Sequence, residues 1–185
     1  MTGGNTRTVL ASTRKRRGKL RIEVELDEGD WTSLGDAETM VTEVATAIGR
    51  HLELPKARNR ACVALTSAAE VQTLNKAWRG QDKPTNVLSF PSASSGLMTH
   101  GTELNLGDVI LAHETVAREA AELGIPLDHH VRHLVLHGLL HLLGYDHATD
   151  EQAQVMEALE ARILAGLGIA DPYTEPALRK DTRGQ

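Results

Sequence analysis

The sequence predicts an α+β fold in a single domain, with a roughly four-stranded mixed sheet packed with about five helices. Two patterns carry the prediction. LRIEVEL (20–26) alternates apolar and polar residues with period two, as a half-buried strand does, and other short β-rich runs recur downstream. Longer stretches with apolar residues at helical spacing separate and follow these runs. A chain of 185 residues is one domain by length, and no internal repeat or second domain is evident.

In chain order, acidic turn residues follow the first strand. Asp36 then opens a helix to about His51, with Met40, Val41, Val44, Ala47 and Ile48 on one face and Pro55 beyond its end. ACVALTS (61–67) reads as a strand whose Ser67 caps the helix AAEVQTLNKAWRG, closed by Gly80. A polar turn with Pro84 leads to the strand NVLSF (86–90), stopped by Pro91, and SASSGLMTHGTE has the composition of a mobile loop. LGDVILA (106–112) is a further strand, and HETVAREAAELG a helix ending at Gly124. Asp128 suits the N-cap of a helix from about His129 to Leu143. Thr149 or Asp150 caps a last helix with Val155, Leu159, Ile163 and Leu164 on one side.

Composition excludes several classes. Hydrophobic residues are 41% and charged residues 24%, as in soluble globular proteins, and aromatics only 3%, so Leu, Val, Ile and Ala build the core. No apolar run reaches the roughly 18 residues that cross a bilayer, so no membrane partner is expected. The single cysteine, Cys62, forms no internal disulfide, fits a reducing, cytoplasmic setting, and reads as a small buried hydrophobe in ACVAL. The net charge of −5 argues against a protein that coats nucleic acid indiscriminately. Yet seven of the 20 basic residues precede the first acid, Glu23, leaving 13 against 25 acidic residues downstream. Residues 1–18 therefore read as a flexible basic arm suited to phosphates, and 171–185 as a flexible tail with too little apolar surface to fold alone.

The greasiest segment, LVLHGLLHLLGYDH (134–147), carries the chemistry. A buried unpaired polar group costs on the order of 1–3 kcal/mol, so two imidazoles in an aliphatic helix require partners. His137 and His141 are four apart and project from one face, where a single metal satisfies both. His133 and His141 are separated by roughly 12 Å along the axis, too far for two bonds of about 2 Å to one ion. Gly144 ends the helix and lets the chain double back to His147. Three nitrogens at His-x3-His-x5-His leave a fourth position for water, the pattern of catalytic zinc at a central helix and the following turn. His129, His130 and His133 read as solvated or rim residues. The spacing is also that of the metzincin proteases, H-E-x-x-H-x-x-G-x-x-H, but Gly138 stands where they keep their general-base glutamate.

HGLLHLLGYDH closely resembles the zinc motif of the YbeY family, bacterial single-strand-specific endoribonucleases of ribosomal RNA maturation. LNKAWRGQDKPTNVLSFP (74–91) and LGDVILAHETV (106–116) resemble two further family blocks, in the family's order. Together the likeness covers about residues 20–168, which makes 19–170 a YbeY-like metal-dependent ribonuclease domain. It implies one Zn2+ per chain on His137, His141 and His147, an activity that needs His137 and Arg79, and substrate contacts from Arg79, Thr85, Asn86 and Ser89 in a cleft it shares with Phe90. Asp108 matches a common family position, and Asp146 is expected to orient a ligand histidine. The implied partners are single-stranded RNA, ribosomal RNA, the ribosome and its assembly factors. The implied task is maturation of the small-subunit rRNA 3′ end and ribosome quality control. Two rival classes share these residues: a metal-dependent hydrolase of another substrate such as peptide, and an assembly factor whose zinc is mainly structural.

Overall fold

The computed structural model describes residues 18–55, 58–92 and 103–174. Most of the expected basic arm, most of the loop after Pro91 and most of the tail lie outside these residues. Strands β1 (Lys19–Leu26), β2 (Arg58–Thr66), β3 (Val87–Pro91) and β4 (Glu103–Ala112) form one sheet in the order β1-β2-β4-β3. β1 and β4 both run parallel to β2, and β3 closes the far edge antiparallel to β4. The sheet is therefore four-stranded and mixed.

Among the described residues five α-helices surround it: α1 (Ala37–His51), α2 (Ala68–Arg79), α3 (His113–Leu123), α4 (Leu127–Leu142) and α5 (Asp150–Gly166). Their ends follow local chemistry. Asp36 accepts the Thr39 N–H to cap α1, Ser67 accepts the Glu70 N–H to cap α2, and Gly80 and Gly124 end α2 and α3 in left-handed turns. Thr149 and Gln152 form a capping box at the start of α5. α4 starts two residues earlier than expected, at Leu127, with Pro126 in the cap position and Asp128 inside the first turn. The acidic turn after β1 holds a short 3-10 helix (Trp31–Leu34), which its sequence does not announce.

Alternation sorts the sheet's two faces. Ala61, Val63 and Leu65 of β2 and Val109 and Leu111 of β4 are buried with Val41, Val44 and Ile48 of α1 and with α4. On the opposite face α2 packs Val71 against Leu88 and Ala112. Arg60, Cys62 and Asp108 line a cleft on that second face beside Glu23 and Glu25. Cys62 is thus partly exposed rather than buried, because it falls on the face that the helices cover incompletely. Its thiol is pushed up to about 11, first by burial and then by nearby Glu25 and Asp108, so it is inert as a nucleophile at neutral pH.

α4 is the central element, touching β3, β4, α1, α3 and α5. Val131, Val135, Leu136, Leu139 and Leu140 are fully buried, each contributing roughly 1.5–3 kcal/mol. On α5, Met156, Leu159, Ile163 and Leu164 face inward, whereas Val155 is 60% exposed, because the buried stripe runs through 156 instead. Residues 171–174, expected in the tail, form a turn that packs back on α4 and α5 through Tyr173. Among the described residues no helix is long and apolar enough to cross a membrane.

Candidate metal centre

His137 and His141 lie one turn apart on α4, with ring centroids 4.6 Å apart and Nε2 atoms separated by 3.1 Å. The third histidine is delivered by the way α4 ends. Gly144 adopts φ 93, its N–H reaches the His141 carbonyl, and the Tyr145 N–H reaches the Leu140 carbonyl. This pair of bonds is the Schellman closure that a left-handed glycine permits. The chain reverses, and the His147 ring comes to 4.9 Å from that of His141 and 5.5 Å from that of His137. One nitrogen from each histidine lies within 4.8 Å of the others, and this is the group among the described residues able to hold a metal ion.

The donors fit zinc. Two bonds of 2.0–2.1 Å at a tetrahedral angle place their nitrogens about 3.3 Å apart, close to the His137–His141 separation. Burial lowers the pKa of His141, as do His137 and His147 beside it, which keeps the ring in the neutral, ligating form.

The sequence reading missed Glu160. This α5 carboxylate is 0% exposed, and its Oε1 accepts the Nδ1–H of His137 at 2.9 Å. Its Oε2 accepts the Tyr173 hydroxyl and lies 3.5 Å from His133 Nε2. Burial alone would raise its pKa, but the hydrogen bonds from His133, His137 and Tyr173 outweigh it and bring the value to about 2. An ionised carboxylate only accepts, so His137 carries its proton on Nδ1 and leaves the Nε2 lone pair for a metal. Burial pushes the Tyr173 hydroxyl well above its usual range, with Glu160 adding to the shift, so it stays a donor. The signal available in sequence was faint: one acid on the buried stripe of α5.

The other expected site residues separate into two groups. Arg79 and Ser89 line a cleft of about 530 Å³ with the three histidines and Asp146. Arg79 reaches it from the end of α2, its guanidinium donating weakly to the Ser89 carbonyl at 3.5 Å. Thr85, Asn86 and Phe90 are not part of that wall. Asn86 instead donates to Glu119 at 3.0 Å and accepts the Val87 N–H, which pins the start of β3. Asp146 accepts the His147 backbone N–H at 2.8 Å rather than a ring proton. Asp108 faces away on the exposed side of the sheet. His130, read as a rim residue, is 5% exposed and pairs with Glu119 at 2.9 Å, and His133 is drawn to Glu160 and Tyr173. Trp78, beside Arg79, is 73% exposed with its ring 6.0 Å from that of Phe90. A wider cleft, about 640 Å³ between α1 and α4, contains no triad of metal-ligating side chains among the described residues.

Comparison with known proteins points to one family. The profile of the family described as endoribonuclease YbeY matches residues 23–168. A protein named endoribonuclease YbeY from Rhodopseudomonas palustris (strain BisA53) is 47% identical over 146 residues, covering 78% of this chain and 85% of its own. One of the same name from Sinorhizobium medicae (strain WSM419) is 44% identical over 162 residues, covering 83% and 95%. The fold matches the solution structure of a Thermotoga maritima protein with a TM-score of 0.51 at 24% identity, over 84% of this chain and 100% of that one. Three histidines converging beside Arg79, and this breadth of likeness, place the chain in the YbeY endoribonuclease family.

Proposed function

We propose that this endoribonuclease cuts single-stranded RNA with one Zn2+ held by His137, His141 and His147, and that its substrate is ribosomal RNA during maturation in the cytoplasm. The observation that carries the reading is the convergence of the histidines in one cleft with Arg79 and Ser89. Zinc held by His137, His141 and His147 would supply Lewis acidity toward phosphate oxygens and water. Arg79 holds the scissile phosphate through paired N–H donors and stabilises charge developing on it. Ser89, on the same cleft wall, supplies a hydroxyl donor to the same group. Trp78 offers an exposed face on which an unpaired base stacks, which favours single strands over duplex. Asn86 serves the substrate indirectly, by holding β3 and hence Ser89 in place.

The same geometry speaks against peptide hydrolysis. A side chain at position 138 would point into β4, where even a Cβ lies 2.4 Å from Val109 Cγ1. The glutamate that zinc proteases keep at this position has no room here.

The test is cleavage of a single-stranded rRNA precursor fragment by wild type, Arg79→Ala and His137→Ala, with folding and zinc content measured for each. Arg79→Ala should lose about 10²–10³-fold in rate with its zinc retained, as removal of one charge-stabilising donor does. His137→Ala should lose both zinc and cleavage. Equal activity from all three preparations would overturn the assignment.

A further inference from the structure

Glu160 is a carboxylate in a place that does not tolerate one alone. It is fully buried on α5 among Met156, Leu159, Ile163 and Leu164. Burying an ion without partners costs several kcal/mol, and an apolar residue here would join the surrounding core. The carboxylate is instead held by three donors from two separate segments. His137 Nδ1 meets Oε1 at 2.9 Å, while the Tyr173 hydroxyl and, at 3.5 Å, His133 Nε2 meet Oε2. Tyr173 belongs to the turn after α5, and its ring also meets that of His133 edge-on at 5.8 Å.

The two oxygens do different things. Oε1 fixes which nitrogen of His137 carries the proton and how the ring is rotated, directing Nε2 to its position 3.1 Å from His141 Nε2. Oε2 is occupied by Tyr173, so the carboxylate cannot swing away from His137 without breaking a second bond. We propose that Glu160 is the positioning residue of the metal centre, and that Tyr173 locks it, so that the segment following α5 helps set how tightly and in what geometry the metal is held. This rests on the reading that the three histidines hold a metal.

The experiment uses the full chain stripped of metal, with Zn2+ affinity measured by chelator competition and geometry read from the visible absorption of bound Co2+. Wild type, Glu160→Gln, Tyr173→Phe and His141→Ala are compared, each with a thermal unfolding curve of the metal-free protein. Gln has the shape of Glu but presents either an oxygen or an NH2 to Nδ1, so the tautomer is no longer fixed. Glu160→Gln should weaken Zn2+ binding about 10–100-fold, as loss of a carboxylate behind a ligand histidine does, and alter the Co2+ spectrum. Tyr173→Phe, at a half-exposed site where folding is not at risk, should weaken it about 2–10-fold, the equivalent of one hydrogen bond. Wild-type affinity and spectrum in both variants, with only the unfolding temperature lowered, would overturn the proposal and leave Glu160 as a structural group. Wild type that binds no better than His141→Ala would overturn the metal reading itself, and the proposal with it.

Discussion

Gly138 is the residue through which the core and the metal site are coupled, and Gly138→Ala tests how. A Cβ built there lies 2.4 Å from Cγ1 and 2.9 Å from Cγ2 of Val109, and 3.0 Å from Ser89 Oγ. Ordinary carbon contacts need about 3.5–4.0 Å, so roughly an ångström must be found. Val109 is fully buried on β4 and β-branched, and both its γ carbons face the glycine, so rotation about χ1 does not clear the space. α4 must back away from β3 and β4. Overpacking of this kind costs about 1–3 kcal/mol, and replacing a mid-helix glycine by alanine returns about 1 kcal/mol of helix propensity. The net expectation is a loss of up to about 2 kcal/mol, read as a lowered urea midpoint with unchanged slope. His137 and His141 travel with α4 and His147 with the turn behind it, so Zn2+ affinity should hold. The distance from the histidines to Ser89 and Arg79 grows, and RNA cleavage should fall. In a Val109→Ala background the obstructing γ carbons are gone, and Gly138→Ala should cost almost nothing. A Gly138→Ala protein more stable than wild type, or one with zinc affinity lost and cleavage intact, would refute this account.

Saturating Zn2+ should raise the unfolding temperature of metal-free wild type, by linkage worth about 2.7 kcal/mol at a hundred times Kd, and leave His141→Ala unmoved in the same scan. Glu160 sits well below its ordinary value of 4.5, at about 2, so its contribution to stability is complete above 4.5 and is lost as pH falls through about 2. Urea unfolding of the metal-free protein should therefore weaken across that window, and Glu160→Gln should flatten the slope. His141 is shifted downward as well, so its neutral ring stabilises the fold above its ordinary value of 6.5 and this contribution is lost as pH falls below it. His141→Gln should remove that part of the pH dependence. Trp78→Ala should weaken binding of single-stranded RNA, read by fluorescence anisotropy with the catalytically dead His137→Ala background, by the roughly 1–3 kcal/mol of one stacked base, without moving the urea midpoint.

What the sequence makes legible, and what it hides, follows from the range of the interactions. Asp36, Ser67, Gly80, Gly124 and Thr149 all mark helix ends, because a cap is a bond between residues a few positions apart. The histidine cluster was legible for the same reason: one helical turn and one Schellman closure join its three members within a single continuous stretch. Glu160 was not, since its meaning lies in a bond to a residue 23 positions away and in burial that no local pattern reports. His130 was misread in the same way, and the bond from Asn86 to Glu119 is equally out of local view. The His130 ring looks like solvated rim in a linear reading, yet it is buried against Glu119 of α3. Val155 and Met156 show the limit of periodicity, where a stripe one residue off is equally apolar and only the packing of α5 on α4 chooses between them. The same helix that fills the core therefore also sets the site. α4 is buried along most of its length, and His137 and His141 are only partly exposed, at the cleft they share with Arg79. Behind His137 the fold supplies a carboxylate from its last helix, and in front of it lie His141 and His147, the set able to hold a metal ion.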